Sequence, residues 1–139
     1  ATGMSDGAGG GDNTRAAIIT RGLAEVTRVG VAMGAEAQTF AGLAGIGDLV
    51  ATCTSTRSRN HFVGEALGRG RKLEDILAGM SQVAEGVTTA PVVLDIAAKG
   101  RVAAPICSAI NAVLDGDMTP SEALRSIVRQ DAGHELEPG

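Results

Sequence analysis

DNTRAAIITRGLAEVTRVGVAM, residues 12–33, decides the fold class. Its apolar and small positions Ala16, Ile19, Leu23, Val26, Gly30 and Met33 recur every three or four residues, which is the spacing of one helix face rather than the alternation of a strand. Asp12 or Asn13 stands where a cap belongs, and Gly34 supplies the stop. Ile18, Ala24, Val29 and Ala32 widen the apolar surface beyond one stripe. A helix apolar over so much of its circumference is expected to run through the middle of its domain, covered on more than one side.

Outward from this segment the same period continues. Residues 39–43 predict a short helical turn, and Gly45 and Gly47 bracket the entry to a helix through Asp48, Leu49, Val50 and Thr52. Residues 58–67 predict the next helix, with Phe62, Val63, Ala66 and Leu67 apolar and Gly68 and Gly70 ending it. Leu73, Ile76 and Leu77 mark another short helix, followed by a loop over residues 81–86. Three further helices are expected over 88–98, 106–114 and 121–128, with Pro91, Pro105 and Pro120 near their starts and Gly100 and Gly116 as stops. No alternating run is long enough for a strand, and there is no internal repeat. The fold class is all-α, organised as a flexible glycine-rich lead-in over 1–11, one helical domain over 12–130 and a disordered polar tail over 131–139.

Composition limits how that domain can be held together. Among 139 residues there are two Phe and no Trp or Tyr, so Ala, Val, Leu and Ile must fill the core, which suits helices in close contact. A formal net charge of −4 argues against a general nucleic-acid binder, whose binding face is basic. No run approaches the roughly 20 apolar residues of a membrane span, and residues 1–20 show no signal-peptide pattern, so a cytoplasmic location is expected. Cys53 and Cys107 lack metal-ligand spacing and read as reduced, buried thiols; no metal site is expected. The glycines of residues 7–11 lack the preceding strand that a dinucleotide fingerprint requires.

The chemistry-bearing stretch is GIGDLVATCTSTRSRN, residues 45–60. Asp48 and Thr52 are four apart, so on a helix a carboxylate and a hydroxyl share one face and can meet one ligand. Asp48 acting merely as a cap, with Thr52 bonded back to its carbonyl, accounts for the same spacing. Ser58, Arg59 and Asn60 fall in the first turn of the next helix, where free N–H groups and the positive dipole end favour a phosphate and Arg59 adds a planar fork of donors. A solvated basic loop is the competing reading.

These residues carry a family resemblance. GIGDLVATCT followed by SRN, with GDNTRAAIITRGLAEVTRVG before it and QVAEG after it, resembles the carboxyl-terminal substrate domain of bacterial NAD(P)-dependent glycerol-3-phosphate dehydrogenase, from about Ala1 to Val128. The resemblance implies a 6-phosphogluconate dehydrogenase C-terminal-like helical domain, the substrate half of a two-domain enzyme whose Rossmann domain precedes it. It implies interconversion of sn-glycerol 3-phosphate and dihydroxyacetone phosphate with NAD or NADP, in support of glycerophospholipid synthesis, and a homodimer as the family-level expectation.

Residue by residue, the resemblance assigns Asp48 and Thr52 to the catalytic group and Asp48, Ser58, Arg59 and Asn60 to the substrate. Arg59, Val83 and Glu85 are assigned to the cofactor. On physical grounds alone Val83 and Glu85 read as ordinary surface positions. The family's catalytic lysine, in a Lys-Asn pair, falls upstream of Ala1, so these 139 residues are expected to be inactive alone; Lys72 and Lys99 sit in other contexts and read as surface lysines. His61 stands where relatives often carry another basic residue, which puts a second cationic contact in doubt. The alternative to an enzyme half is a non-catalytic helical interaction module derived from the same domain.

Overall fold

The computed structural model describes residues 1–42, 45, 47–55 and 58–135, and every element formed by them is a helix. In chain order these are α1 (Thr2–Gly7), α2 (Asp12–Ala32), α3 (Ala37–Ala41), α4 (Asp48–Thr54), α5 (Arg59–Gly68), α6 (Leu73–Ala78), α7 (Glu85–Lys99), α8 (Pro105–Leu114) and α9 (Pro120–Glu135). The all-α expectation holds. The main core joins Met4 of α1, Val63 and Leu67 of α5, Ile76 of α6, Ile106, Ala109 and Val113 of α8, and Ala123 and Ile127 of α9. A second cluster joins Val29, Ala97, Ala104 and Cys107, fastening the end of α2 to α7 and α8. Both cores are built from small aliphatic side chains, as the shortage of aromatics requires.

Three sequence expectations are corrected. The glycine-rich lead-in is not a flexible arm: Thr2–Gly7 is helical, and Thr2, Met4 and Ser5 are buried. Gly3 and Gly7 on α1 face Gly64 and Gly68 on α5, so close that a Cβ at Gly3 or Gly7 would overlap the carbonyls of His61 or Glu65. The glycines serve backbone-to-backbone approach, which a turn-based reading of glycine overlooks. The tail likewise stays helical through Glu135, because α9 continues past its apolar stretch; residues 136–139 lie outside those described.

α2 is the third correction. It begins and ends as its period predicts, but it lies on the periphery: Ile18, Glu25 and Val29 are buried, whereas Val26 is 48%, Val31 46% and Met33 66% exposed. Periodicity reports which faces are apolar, not what covers them. Phe40 of α3 does pack over α2, seated against Gly30 where a side chain would collide with its ring.

α7 starts at Glu85 rather than at the expected residue 88, leaving Pro91 well inside the helix. Pro91 has no N–H for the Val87 carbonyl, so one intrahelical bond is absent there. The Ala90 carbonyl accepts from Asn111 Nδ2 at 3.0 Å and from the Cys107 thiol at 3.2 Å. Cys107 is buried as expected; burial, reinforced by the charge of Glu25, pushes its thiol pKa up. Cys53 is only half-buried.

Buried Glu25 is the polar anchor of this half. Its Oε1 accepts from the Ile106 N–H at 2.8 Å and its Oε2 from the Cys107 N–H at 2.9 Å, so one α2 carboxylate caps the amino end of α8. These N–H groups would otherwise have no intrahelical acceptor.

Candidate functional site

The amino ends of α5 and α7 meet at an open cleft of about 270 Å³ lined by Ser58, Arg59, Asn60 and Glu85. Each end is held by a side chain. Ser58 precedes α5 with extended backbone, and its Oγ accepts from the His61 N–H at 3.2 Å, an N-cap that starts the helix where the sequence placed it. Asn60 reaches across to α7, where its Oδ1 accepts from the Gly86 N–H at 2.9 Å. Gly86 permits this approach, since a Cβ there would stand 2.8 Å from the same oxygen.

Arg59 is the cationic group of the cleft. It is exposed, and its Nη1 donates to Oε1 of Gln82 in the loop before α7. The guanidinium and two helix amino ends give the cleft a positive side that fits an anion with several oxygens. Glu85, the first residue of α7, adds a carboxylate acceptor to the lining, suited to a hydroxyl rather than to a second anion. An apolar groove of about 350 Å³ adjoins the cleft: Asn60 lines both, and Val63, Val87, Val93 and Ile110 form part of the groove wall.

The structure thus brings together Ser58, Arg59, Asn60 and Glu85 of the residues singled out from the sequence. Asp48 is exposed in the first turn of α4 and does not line this cleft, and Val83 stands 66% exposed in the loop before α7. Thr52 belongs to α4, but its side chain lies outside the described residues. Among the described residues no three His, Cys, Asp or Glu side chains gather as metal ligands.

Gln82 and Gly86 escaped the sequence reading although both lie in the QVAEG block. The signal for Gly86 was its glycine identity at a helix start, and for Gln82 its long amide two residues before the buried Ala84.

Behind the cleft is a charge cluster that sequence reading missed altogether. Asp6 Oδ1 receives Arg15 Nη2 at 2.7 Å and Nε at 3.2 Å, while Asp6 Oδ2 lies 2.8 Å from His61 Nε2. Burial pushes the Asp6 carboxyl up, but the hydrogen bonds from Arg15 and His61, with their charges, outweigh it and hold the carboxyl below its ordinary range. Asp6 sat in a segment read as flexible, so nothing in the sequence paired it with a histidine 55 residues away.

Comparison with known proteins gives this geometry a lineage. The family model described as NAD-dependent glycerol-3-phosphate dehydrogenase C-terminus matches residues 1–125. The chain is 52% identical over its full 139 residues to the NAD(P)+ glycerol-3-phosphate dehydrogenase 2 of Sphingopyxis alaskensis, covering 42% of that protein. It is 52% identical over the same length to the corresponding enzyme of Syntrophobacter fumaroxidans, covering 41% of it. Its fold superimposes on the crystal structure of glycerol-3-phosphate dehydrogenase from Coxiella burnetii with a TM-score of 0.87 at 38% identity, over 91% of this chain and 39% of that one. The chain therefore spans about two-fifths of the length of the relatives it matches. It belongs to the family of NAD-dependent glycerol-3-phosphate dehydrogenase carboxyl-terminal domains.

Proposed function

We propose that this chain is the substrate half of a dehydrogenase that interconverts sn-glycerol 3-phosphate and dihydroxyacetone phosphate with NAD or NADP. One observation carries the reading: Ser58, Arg59 and Asn60 line one cleft at two helix amino ends, the arrangement that a small phosphorylated alcohol calls for. Arg59 clamps the phosphate. Ser58 and Asn60 add neutral donors at its flanks. Asp48 and Thr52 belong to the hydroxyl end of the substrate by family resemblance.

The clamp lets binding energy from the non-reacting phosphate fix the carbonyl for reduction, which is where such remote contacts help most. Reduction of a ketone builds negative charge on its oxygen, so a cation or acid must stand there. By resemblance that group is a lysine which this chain does not contain. NAD(P), when bound, supplies or accepts the hydride. The donor set fits the cofactor's edge on this side: Arg59 and Glu85 line the cleft, and Val83 offers an exposed apolar surface beside them. The remaining cofactor contacts belong to a nucleotide-binding domain, and the 139 residues alone are inactive. The enzyme acts in the cytoplasm and supplies glycerophospholipid synthesis.

Isothermal titration of this chain with sn-glycerol 3-phosphate tests the reading. Weak, saturable binding that is lost in Arg59→Ala is expected; absence of binding in the folded chain would sink the assignment. The second reading, a non-catalytic helical module, is favoured by the exposed Val26 and Val31 of α2 and Met33 just after it, apolar side chains of the kind that association covers. A homodimer contact would cover such side chains as well. A partner-binding module predicts association without any response to the phosphorylated ligand.

A further inference from the structure

We infer that His61 is a positioning residue for the Arg59 cleft, its imidazole tied to Asp6 so that the first turn of α5 presents Ser58, Arg59 and Asn60 in register. This rests on the reading of that cleft as the substrate-phosphate site. The first turn of any helix is its weakest part, because its N–H groups have no intrahelical acceptors and it frays unless held from outside. Asn60 Oδ1, accepting from the Gly86 N–H, ties this one to α7, and two further bonds end on His61. The backbone N–H donates to Ser58 Oγ at 3.2 Å, and the ring Nε2 stands 2.8 Å from Asp6 Oδ2 on α1.

The ring is enclosed, with its side chain only 8% exposed. The charged groups facing it are Asp6 from α1 and, on its own helix, Glu65, whose Oε2 is 3.8 Å from Nδ1. Each has a second partner: Arg15 of α2 for Asp6, and Arg69 for Glu65 at 2.6 Å. Removing the imidazole therefore leaves Asp6 paired with Arg15, so α1 and α2 stay joined while the α5 turn loses its side-chain tether to α1 and keeps the Ser58 cap and the Asn60 bond to α7. α1 itself cannot shift to compensate, because Gly3 and Gly7 already place it against the α5 backbone.

A loosened turn changes the fraction of molecules ready to bind without touching the reacting atoms. Apparent affinity falls by that fraction, and turnover at saturation survives. The experiment uses the full-length dehydrogenase that carries this chain, measuring kcat and KM for dihydroxyacetone phosphate with NADH, and inorganic phosphate affinity by calorimetry. His61→Ala and Asp6→Asn should each raise KM about tenfold and weaken phosphate binding to match, with kcat within about twofold of wild type. In KM their combination should be no worse than the more impaired single variant, since both cut the same tether of α5, although Asp6→Asn also loses the Arg15 ion pair. His61→Gln, which restores a ring-length donor, should recover part of the loss and serves if the alanine variant does not fold. An unchanged KM in folded His61→Ala or Asp6→Asn overturns the inference, as does an additive double variant. A wild type that neither turns over nor binds phosphate overturns the parent reading instead.

Discussion

Asp6 receives three hydrogen bonds on its two oxygens, and their effect on its pKa sets a pH dependence that can be worked out in sign. Folding holds this carboxyl below its ordinary range, so in the window between the folded and unfolded pKa values the unfolded chain binds more protons. Stability from this source is fully present above the ordinary carboxylate range and is lost as pH falls through the lowered value. Denaturant titrations in that acid window should therefore show stability falling with pH more steeply for wild type than for Asp6→Asn, which has no proton to take up. Parallel curves would remove Asp6 from the account. Asp6 also shows where residue-level reading stops. Its partners Arg15 and His61 come from different helices, and only the packed fold makes them neighbours.

Elements were legible where one chain segment settles its own conformation. The period of residues 12–33 gave α2 nearly to its ends, and the start expected at Ser58 fell within one residue of α5, where that serine turns out to be the cap rather than part of the first turn. The candidate site was legible for the same reason: Ser58, Arg59 and Asn60 are contiguous. α1 and the start of α7 were not legible. α1 is six residues of which two, Gly3 and Gly7, are glycines at its contact with α5, a composition that reads as loop until α5 lies against it. In α7 the expected start at residue 88 came three residues too late, although Glu85 is a favourable first-turn acid.

The α1–α5 contact yields a paired prediction. Alanine is intrinsically better in helices than glycine by about 0.8–1.0 kcal/mol, so Gly→Ala stabilises unless the added methyl collides. At Gly22 nothing described lies within 4 Å, and Gly22→Ala should stabilise the chain by roughly 0.5–1 kcal/mol. At Gly68 the methyl would overlap the Met4 carbonyl, which is backbone and cannot rotate away. The collision, typically about 1–3 kcal/mol, exceeds the propensity gain, so Gly68→Ala should be destabilising. Denaturant midpoints of both variants check the difference in sign; the same sign at both sites would mean that α1 is not seated where described.

At the scale of the whole molecule, the core and the cleft lie on the same helices. α5 contributes Val63 and Leu67 to the main core and Arg59 and Asn60 to the cleft, so the packing that stabilises the fold also fixes the site. Glu25 does similar work at the far side, capping α8 from α2 and so aligning the wall of the apolar groove. What composition could not reveal is how much of α2 stays uncovered, since coverage depends on partners as well as sequence. Val26 and Val31 of α2 and Met33 just after it remain exposed, and an apolar groove runs beside Asn60.

The central claim is that Arg59 clamps the substrate phosphate, and steady-state kinetics of Arg59→Ala in the full-length dehydrogenase test it most directly. Loss of a charge-assisted, multi-donor contact should cost about 2–3 kcal/mol, roughly 30- to 150-fold in kcat/KM for dihydroxyacetone phosphate. A variant that folds and retains wild-type kcat/KM would contradict it.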